Sequence, residues 1–235
     1  MKQTILAILL SVLLIGCQNE IPWSNETGSL QLESIMLTEI ANESLTRANG
    51  TLTRAIDADL IVEICQDGKV VTQQGQTLRF TNGEFPRQLS LPAGQYEVRA
   101  FNAAYEAASA WTESEVGDAV YYKEEKVAIS ANQVTRLAMQ VPMINVGVTF
   151  TLPDDFNQHF SSYSFTITDG TRTVSVTSQQ TVYLDVTPSF TVTLQAVNVD
   201  QENMETSLTH QSIAAGTVYT VAYQLAATKL KGRIK

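Results

Sequence analysis

Short runs of alternating polar and apolar residues follow one another along most of this chain. The runs are rich in valine, threonine and aromatic residues and are separated by glycine, proline, asparagine or aspartate. A period of two places every second side chain on one face of an extended strand, so this pattern is typical of strands that bury one face. It predicts an all-β chain folded as antiparallel sandwiches. One short helix is expected between Leu152 and Phe160, where a proline and two aspartates begin the segment.

Breaks in the strand pattern divide the chain into two units. Pro142 interrupts the pattern, and proline cannot donate a hydrogen bond to a sheet ladder, so we place a domain joint there. The predicted architecture is two tandem antiparallel β-sandwich domains, at residues 29–143 and 144–228, followed by a basic tail at 229–235. Within the first domain, Pro92-Ala93-Gly94 predicts a hairpin, because proline restricts φ and glycine admits a positive φ.

Two segments of the first domain lack this alternation. Residues 40–55 hold Asn, Ser, Thr and Gly together with a small repeat, Leu45-Thr46-Arg47-Ala48 and Leu52-Thr53-Arg54-Ala55, and we expect an exposed connection there. Residues 103–118 carry alanine, serine and glutamate and are expected to form a long loop with at most one helical turn.

The N-terminus has the pattern of a bacterial lipoprotein signal. Lys2 precedes an apolar run at residues 5–15, which is shorter than the roughly 20 residues that a membrane-spanning helix needs. Gly16 stands directly before Cys17, so cleavage would leave Cys17 as a lipidated first residue. We therefore predict a signal peptide at 1–16, a tether at 17–28 and a lipid anchor in the outer membrane, with the body at the cell surface. The alternative is an ordinary secretory signal in which Cys17 is incidental.

The mature chain is acidic. Without Lys2 it has 24 acidic and 14 basic residues, a net charge of −10. Such a surface does not attract nucleic acid or anionic lipid, so neither is expected as a partner. Four of the bases lie in the last seven residues, which leaves a body of charge −14. This basic tail is either a disordered end or a segment that docks on the acidic surface of a neighbouring subunit.

Cysteine usage excludes stabilisation by an intrachain disulfide. With Cys17 lipidated, Cys65 is the single remaining thiol. Alternation places Cys65 opposite the face formed by Leu60, Val62 and Ile64. A small residue packed under a loop or a second sheet explains this position better than a nucleophile without a base.

No constellation typical of an enzyme or a metal site is recognisable. His159 and His210 lack further ligands at metal spacing, and no G-x-S-x-G elbow occurs. The acidic loop from Asp200 to Glu205 lacks the glycine of a tight calcium loop. Carboxylates occur in three close pairs, which we interpret as solvated faces: Glu113/Glu115, Glu124/Glu125 and Asp154/Asp155. We expect neither a cofactor nor a catalytic centre.

Four aromatic residues are the candidates for ligand binding: Tyr105, Trp111, Tyr121 and Tyr122. Exposed rings on sandwich loops stack on sugars in many lectin-like proteins. Alternatively, Trp111 and one tyrosine plug the end of the sandwich or the domain joint, where they bury a large apolar area.

The order of several short motifs resembles a known family. The motifs, in chain order, are Gly28-Ser29-Leu30-Gln31-Leu32, a loop with Thr-Arg-Ala, Leu60-Ile61-Val62-Glu63-Ile64, Leu91-Pro92-Ala93-Gly94-Gln95-Tyr96, Trp111 ahead of Tyr121-Tyr122, Val146-Gly147-Val148-Thr149-Phe150 and Phe160-Ser161-Ser162-Tyr163. This order resembles a domain of unknown function in surface lipoproteins of Bacteroidales that is similar to their fimbrillins. The resemblance runs from Gly28 to Ala227; the lysine-rich tail and the short chain depart from it.

The resemblance implies a fold and a role. It implies two β-sandwich domains of transthyretin-like build, no catalytic centre, and a surface role in fimbria-like structures or adhesion. Fimbrillins are matured by an arginine-specific protease, and Arg47-Ala48 and Arg54-Ala55 match such a site. Cleavage would release the strand at 29–37, so that a neighbour's strand could fill the groove. The alternative is that this loop is an uncut connection, because an anchored subunit needs no cleavage.

Two functions follow from the sequence. The first is a non-catalytic surface lipoprotein with a structural or adhesive role, such as an accessory fimbrial subunit. The second is a glycan-binding surface lipoprotein that serves carbohydrate uptake. A hydrolase is disfavoured.

Overall fold

Most of the described residues lie in β-strands. The computed structural model describes residues 26–41, 50–55, 60–81, 84–112, 114–226 and 229–234. The strands of the first half are β1 (Thr27–Ala41), β2 (Gly50–Ala55), β3 (Leu60–Gln66), β4 (Lys69–Val70), β5 (Thr72–Gln73), β6 (Gln76–Thr77), β7 (Arg79–Phe80), β8 (Leu89–Pro92), β9 (Gly94–Asn102), β10 (Tyr122–Ile129) and β11 (Val134–Pro142). Those of the second half are β12 (Val146–Thr151), β13 (Phe160–Thr168), β14 (Thr173–Val176), β15 (Val182–Leu184), β16 (Ser189–Asn198), β17 (Asn203–Gln211), β18 (Thr217–Ala226) and β19 (Lys229–Ile234). The helical segments are α1 (Ala103–Ala107), a 3-10 turn (Ala108–Ala110) and α2 (Phe156–His159).

These strands form three large sheets and one small ribbon. The first sheet has the order β11-β1-β18-β12-β15, with β8 and β2 added to β1 and β19 added to β18. The second sheet has the order β10-β9-β3-β4, with β7 beside β3. The third sheet has the order β14-β13-β16-β17, and β5 pairs with β6. The predicted all-β class is confirmed.

Strand β1 joins the two halves of the chain. It runs parallel to β11, from Ser29 opposite Val134 to Thr38 opposite Pro142. Its last two residues then run parallel to β18, with Ile40 opposite Thr217. Strands β12 and β18 are also parallel. The expectation of purely antiparallel sheets is therefore wrong, because β1 and β18 reach their partners through long excursions of the chain.

The buried apolar side chains fall into two clusters. Core 1 lies between the second sheet and the part of the first sheet around β1, and its fully buried members include Leu30, Ile64, Leu91, Val98, Met139 and Val141. Core 2 lies between the third sheet and the other part of the first sheet, and its buried members include Phe150, Phe156, Phe165, Phe190, Leu194 and Tyr223. The buried members of core 1 end at Met143, and those of core 2 begin at Val146. Partly buried residues cross this division: Tyr183 and Val218 pack against core 1, and Val116 packs against core 2.

The segment Pro92-Ala93-Gly94 crosses between sheets, so the predicted hairpin is wrong. Strand β8 pairs with β1 in the first sheet, whereas β9 pairs with β3 and β10 in the second. Gly94 is not among the glycines with positive φ, and it pairs with Ile129 in extended conformation. The proline therefore ends one strand, and the chain then passes over the edge of core 1.

The predicted exposed connection at 40–55 is partly a strand. Residues Gly50–Ala55 pair antiparallel with β1, from Met36 opposite Ala55 to Ala41 opposite Gly50. Polar composition favours a loop here, but the edge of β1 offers unpaired backbone groups that a nearby segment can satisfy. In residues 103–118 the helical content exceeds the single turn that was expected, because α1 is followed directly by the 3-10 turn at Ala108–Ala110.

The basic tail is not a disordered end, and this correction concerns residues 229–234. Strand β19 pairs antiparallel with β18, from Val221 opposite Ile234 to Ala226 opposite Lys229. Gly232 lies so close to core 2 that a Cβ there would be 2.5 Å from Leu208 Cδ1 and 2.8 Å from Tyr223 Cε1. The only residue type without a side chain thus permits the strand to cover these two side chains.

Deletion of residues 229–235 should destabilise the protein. We expect the free energy of unfolding to fall by about 2 kcal/mol, because Leu208, Tyr223 and the partly buried Ile234 lose apolar contact. Chemical denaturation measures the loss. The exposed Arg233→Gln change, which keeps the strand, should cost less than about 0.5 kcal/mol. A disordered tail would instead give no loss on deletion.

Candidate functional site

The outer face of the second sheet carries a cluster of charged and aromatic side chains. Along β9, Tyr96, Val98 and Ala100 are buried in core 1. Alternation turns the other residues of the strand, which include Arg99 and Phe101, to the opposite face. The neighbouring strands β3, β7 and β10 add their own outward side chains to this surface.

Three aromatic rings lie together on this surface. The rings of Tyr105 and Tyr122 stack with centroids 4.5 Å apart and planes 18° apart. Phe101 lies beside both, with its centroid 5.2 Å from that of Tyr105. Helix α1 follows β9 directly and thereby carries Tyr105 back over the sheet. Tyr105 remains 38% exposed, so part of its ring is open to a ligand.

Arg79 links the aromatic rings to two carboxylates. Its Nη1 donates to Glu63 Oε1 at 2.5 Å, and its Nη2 donates to both carboxylate oxygens of Glu106 at 2.9 Å. The guanidinium lies 5.5 Å from the centre of the Phe101 ring. Burial acts to lower the pKa of Arg79, but the hydrogen bonds to Glu106 and Glu63 outweigh it and raise the pKa. We call Phe101, Tyr105, Tyr122, Arg79 and Arg99 the aromatic-arginine face.

Arg99 holds further carboxylates on the same surface. Its Nε donates to Glu124 Oε2 at 2.7 Å, and its Nη2 lies 3.7 Å from Glu97 Oε2. The Tyr122 hydroxyl donates to the same Glu124 oxygen at 3.3 Å. The hydrogen bond from Arg99 lowers the pKa of Glu124 and raises the pKa of Arg99. These ion pairs order the surface around the aromatic rings.

The lowered pKa of Glu124 predicts a loss of stability in acid. Because the pKa is lower in the folded state than in the unfolded chain, the ion pair stabilises the protein above the unfolded pKa of about 4.3. That contribution disappears as the pH falls through the folded pKa. The melting temperature of Glu124→Gln should therefore fall less than that of the wild type between about pH 6 and pH 3. Arg99→Gln should reduce the fall in the same way; equal falls in all three proteins would contradict this prediction.

Cys65 lies beneath this surface and is fully buried. Burial raises the pKa of its thiol. The positive charge of Arg99 lowers the pKa by less, and neighbouring glutamates add to the rise. A thiol that stays protonated at neutral pH is a poor nucleophile. The structure thus places Cys65 as a small packed residue.

The structure separates the four aromatic candidates. Tyr105 and Tyr122 stack on the outer face, whereas Tyr121 is 5% exposed and belongs to core 1, because neighbouring residues of a strand point to opposite faces. Trp111 is half-buried, and its ring lies 5.6 Å from the guanidinium of Arg172 in the second half of the chain.

Trp111 and residues 115–117 hold the first half of the chain against the second. Gly117 has a φ of +71°, and a Cβ there would lie 2.9 Å from Trp111 Cζ3. The Val116 carbonyl accepts a hydrogen bond from the Tyr183 amide at 2.7 Å. The Glu115 carbonyl accepts one from Arg172 Nη2. Trp111 therefore packs at the junction between the two halves.

Trp111→Ala should reduce stability. We expect a loss of about 2 kcal/mol, since a half-buried indole and its contact with Arg172 disappear. Thermal unfolding measures the loss, and Tyr105→Ala at the exposed surface serves as the comparison, with a smaller effect. A wild-type melting temperature for Trp111→Ala would contradict a packing role.

The histidines and the acidic segments take other positions. His159 Nε2 lies 3.7 Å from Asp155 Oδ2 at the surface. His210 is half-buried on β17, with its ring 4.7 Å from that of Tyr219. In the acidic loop, the Glu202 amide donates to the Asn198 side chain. Within the part of the chain that the structure describes, no three His, Cys, Asp or Glu residues are grouped to hold a metal ion.

The structure describes only some of the predicted lipidation and cleavage residues. Cys17, Arg47 and Ala48 lie outside the described residues. Arg54 and Ala55 belong to β2, where they pair with Leu37 and Met36 of β1.

Sequence reasoning missed the arginines of this surface. Arg79 and Arg99 lie on different strands, and their partners Glu63, Glu106 and Glu124 come from three further elements. One signal was present: the alternation of Tyr96, Val98 and Ala100 with charged residues marks a second, outward face of β9.

A family model, described as Domain of unknown function (DUF4493), matches residues 26–234. The chain belongs to this family. Like the family resemblance inferred from the motif order, the match extends over nearly the whole body, in this case into β19. No curated protein is significantly similar to this DUF4493 chain. None of the helices in the described ranges is long and apolar enough to span a membrane.

Several solved structures of Bacteroidales proteins are distantly similar to the DUF4493 chain. A fimbrial assembly protein from Parabacteroides distasonis has 11% identity and a TM-score of 0.49, covering 89% of this chain and 94% of its own. A candidate cell adhesion protein from Bacteroides eggerthii has 8% identity and a TM-score of 0.49, covering 92% and 97%. A candidate polysaccharide-binding protein from Bacteroides thetaiotaomicron has 9% identity and a TM-score of 0.40, covering 85% and 91%. All three TM-scores are below 0.5, so the family assignment rests on the sequence match.

Proposed function

We propose that this protein is a non-catalytic, lipid-anchored protein of the cell surface with a structural or adhesive role, such as an accessory fimbrial subunit. Cys17 carries the lipid in the outer membrane, and residues 17–26 connect it to the body. The observation that supports this role most directly is the position of β1. It is the first strand in the part of the chain that the structure describes, and it pairs with strands of both halves of the chain.

Strand β1 is well placed to carry a load between the membrane and the body. It begins at Thr27 and spans 15 residues. It pairs with β11 along one edge and with β8 and β2 along the other. A pull along its axis from the N-terminal tether loads these ladders together, rather than one hydrogen bond at a time. An adhesive or filament-forming protein needs such resistance to forced unfolding.

The carboxylates that bind the two arginines of the aromatic-arginine face support a structural role for that surface. Glu63, Glu106 and Glu124 each accept hydrogen bonds from Arg79 or Arg99. General acid-base catalysis requires a carboxyl group that meets the substrate. These carboxyl groups instead bind neighbouring side chains of the same sheet.

We further propose that the body consists of two β-sandwich units of transthyretin-like build, at residues 29–143 and 144–228, with an uncut connection after β1. Core 1 and core 2 support the division, and the shared strand β1 supports the uncut connection. Departure of β1 would expose Leu30, Ile35 and Leu37, which are 0%, 6% and 6% exposed. Each such side chain contributes about 1.5–3 kcal/mol by its burial. Exchange of β1 for a strand of a fimbrial neighbour is the competing arrangement.

Surface digestion and N-terminal analysis test these proposals. Protease treatment of intact cells should remove the protein, and Cys17→Ser should release it from the membrane. Immunogold label along filaments would support a fimbrial subunit, and diffuse label a single anchored adhesin. A mature N-terminus at Ala48 or Ala55 would overturn the uncut connection. Recovery of an unlipidated, soluble periplasmic protein would overturn the whole proposal.

Glycan binding for carbohydrate uptake is the second candidate function. The supporting observation is the partly exposed ring of Tyr105, which stacks on Tyr122 beside Arg79 and Arg99. Flat exposed rings next to hydrogen-bonding groups suit sugar recognition. On a glycan array, Tyr105→Ala should lose binding while its melting temperature is unchanged. Binding that survives Tyr105→Ala would exclude this surface as the glycan site.

A further inference from the structure

The third sheet has an outer face made of hydroxyl side chains. The backbone pairings place two rows of four residues across β14, β13, β16 and β17. The first row is Thr173, Thr168, Thr191 and Thr209; the second is Ser175, Thr166, Thr193 and Ser207. We call these eight residues the hydroxyl face. None of them carries a charge, although the chain as a whole has a net charge of −9.

Hydrogen bonds order the hydroxyl face across the strands. Thr191 and Thr209 Oγ1 atoms are 2.9 Å apart, and Thr193 Oγ1 lies 2.8 Å from Ser207 Oγ. On the same face, toward the edge strand β14, Thr166 Oγ1 lies 3.0 Å from Ser175 Oγ, and Thr173 Oγ1 donates to Thr168 Oγ1 at 3.0 Å. A hydroxyl has one donor and two acceptor sites, so a hydroxyl that pairs once keeps acceptor capacity for a ligand. Thr168 is the exception: its Oγ1 also accepts a hydrogen bond from the Gly170 amide and keeps only its donor.

The spacing of this array is regular. Neighbouring strands of a sheet lie about 4.8 Å apart, and residues on one face of a strand repeat about every 6.7 Å. A row therefore offers hydroxyl groups at intervals close to the length of one hexose unit. A chain of sugars laid across the strands would meet a new hydroxyl group with each unit.

The two outer faces of the molecule differ in chemistry. The aromatic-arginine face of the second sheet is charged and internally paired, as its ion pairs show. The eight residues of the hydroxyl face are neutral, and the edge residues Thr173, Ser175, Ser207 and Thr209 are exposed. The next row on this side of the sheet holds one charge, Glu205, which accepts a hydrogen bond from Gln195 at 3.0 Å. A neutral polyhydroxyl partner matches the hydroxyl face in charge, whereas a second acidic copy of this chain or a polyanion would be repelled by the rest of the body.

We propose that the hydroxyl face binds neutral polysaccharide chains. This assignment rests on the proposed adhesive function and gives it a binding surface and a ligand class. Each hydrogen bond on such a flat face is weak, so binding depends on many contacts along one polymer. Short oligosaccharides accordingly bind far less tightly than long chains.

Affinity gel electrophoresis of the otherwise full chain with Cys17→Ser tests the proposal. The gels contain dextran, mannan or xylan as neutral polymers and heparin as the polyanion. Thr191→Val/Thr193→Val removes two central hydroxyl groups and keeps β-branched side chains, so the strand is preserved. Thr72→Val/Thr151→Val makes the same change at two exposed threonines outside the third sheet.

The expected result is retardation in at least one neutral gel and none in heparin. The central double variant should bind about tenfold more weakly, as expected for the loss of two net hydrogen bonds. The control should bind like the wild type, and both variants should retain the wild-type melting temperature. Retardation unchanged in the central variant, or none in any neutral gel, would overturn the proposal. Adhesion of intact cells that persists in such a case would show that the proposed function stands without this face; loss of surface exposure would show that the function itself fails.

Discussion

Replacement of Phe165 by alanine should lower the free energy of unfolding by about 3–5 kcal/mol. Phe165 is fully buried in core 2, and its ring stacks on Phe150 with centroids 4.1 Å apart and planes 8° apart. Tyr163 and Tyr223 contact it from other sides, at 5.5 and 5.8 Å between centroids. Removal of the ring leaves a cavity that these large, rigid neighbours fill poorly. Chemical denaturation followed by circular dichroism measures the loss.

The control for Phe165→Ala is Val199→Ala, at a position that is 56% exposed. It should change stability by less than about 0.5 kcal/mol. A loss below about 1 kcal/mol for Phe165→Ala would contradict the packing of core 2.

The same variant also tests whether the two halves unfold together. In a form that begins at Glu26, Cys65 is the only thiol and Trp111 the only tryptophan. Cys65 is buried in the first half, and Phe165 belongs to core 2. Strand β1, Trp111 and residues 115–117 join the halves. In Phe165→Ala, the denaturant concentration at which Cys65 becomes open to thiol labelling should therefore fall by as much as the unfolding midpoint measured by circular dichroism. Labelling of Cys65 at the wild-type midpoint would show that core 1 survives alone.

Gly28→Ala should cost about 2–3 kcal/mol. Gly28 is buried near the start of β1, and a Cβ there would lie 2.2 Å from the Ser130 carbonyl oxygen and 2.8 Å from Ile129 Cγ2. The first contact is with backbone, which cannot rotate away as a side chain can. The start of β1 must therefore shift, and its pairing with Leu91 of β8 and its approach to Gln133 are disturbed. Thermal and chemical unfolding both report the effect.

Gly94→Ala is a matched control for Gly28→Ala. A Cβ at Gly94 would have its nearest neighbour, Tyr96 Cε2, at 3.7 Å, which is an ordinary contact. The backbone there is extended and suits alanine. The change should be neutral or stabilise the protein by up to about 1 kcal/mol. Equal losses at Gly28 and Gly94 would contradict the close approach at the start of β1.

Local patterns predicted the local elements well. Asp67-Gly68 forms a turn with φ values of +51° and +75°, as such a pair favours between two strands. Helix α2 lies within the segment that begins with Pro153, and helical structure, α1 and the 3-10 turn after it, occurs between Phe101 and Trp111. These features depend on φ preferences and on alternation over a few residues, which neighbouring sequence determines.

The candidate surface was predictable only in part. The stacked residues Tyr105 and Tyr122, exposed and half-buried respectively, were recognisable as candidates, but Tyr121 and Trp111 could not be separated from them by composition. Their separation depends on which face of β10 meets core 1 and on the contact of Trp111 with Arg172, which lies 61 positions further along the chain. The hydroxyl face likewise required the register of four strands.

The sequence by itself determined that this is an acidic all-β chain whose strands alternate polar and apolar residues and that Cys65 is its single cysteine after position 17; the lipoprotein signal that ends at Cys17 stays a prediction. Only the tertiary structure decided which strands pair. It made β1 parallel to β11 and β18, moved β8 and β9 into different sheets, and placed the tail on β18. The physical reason is that any strand edge offers the same backbone donors and acceptors, so local sequence does not specify the partner. The choice depends on which arrangement buries the apolar faces of core 1 and core 2 together.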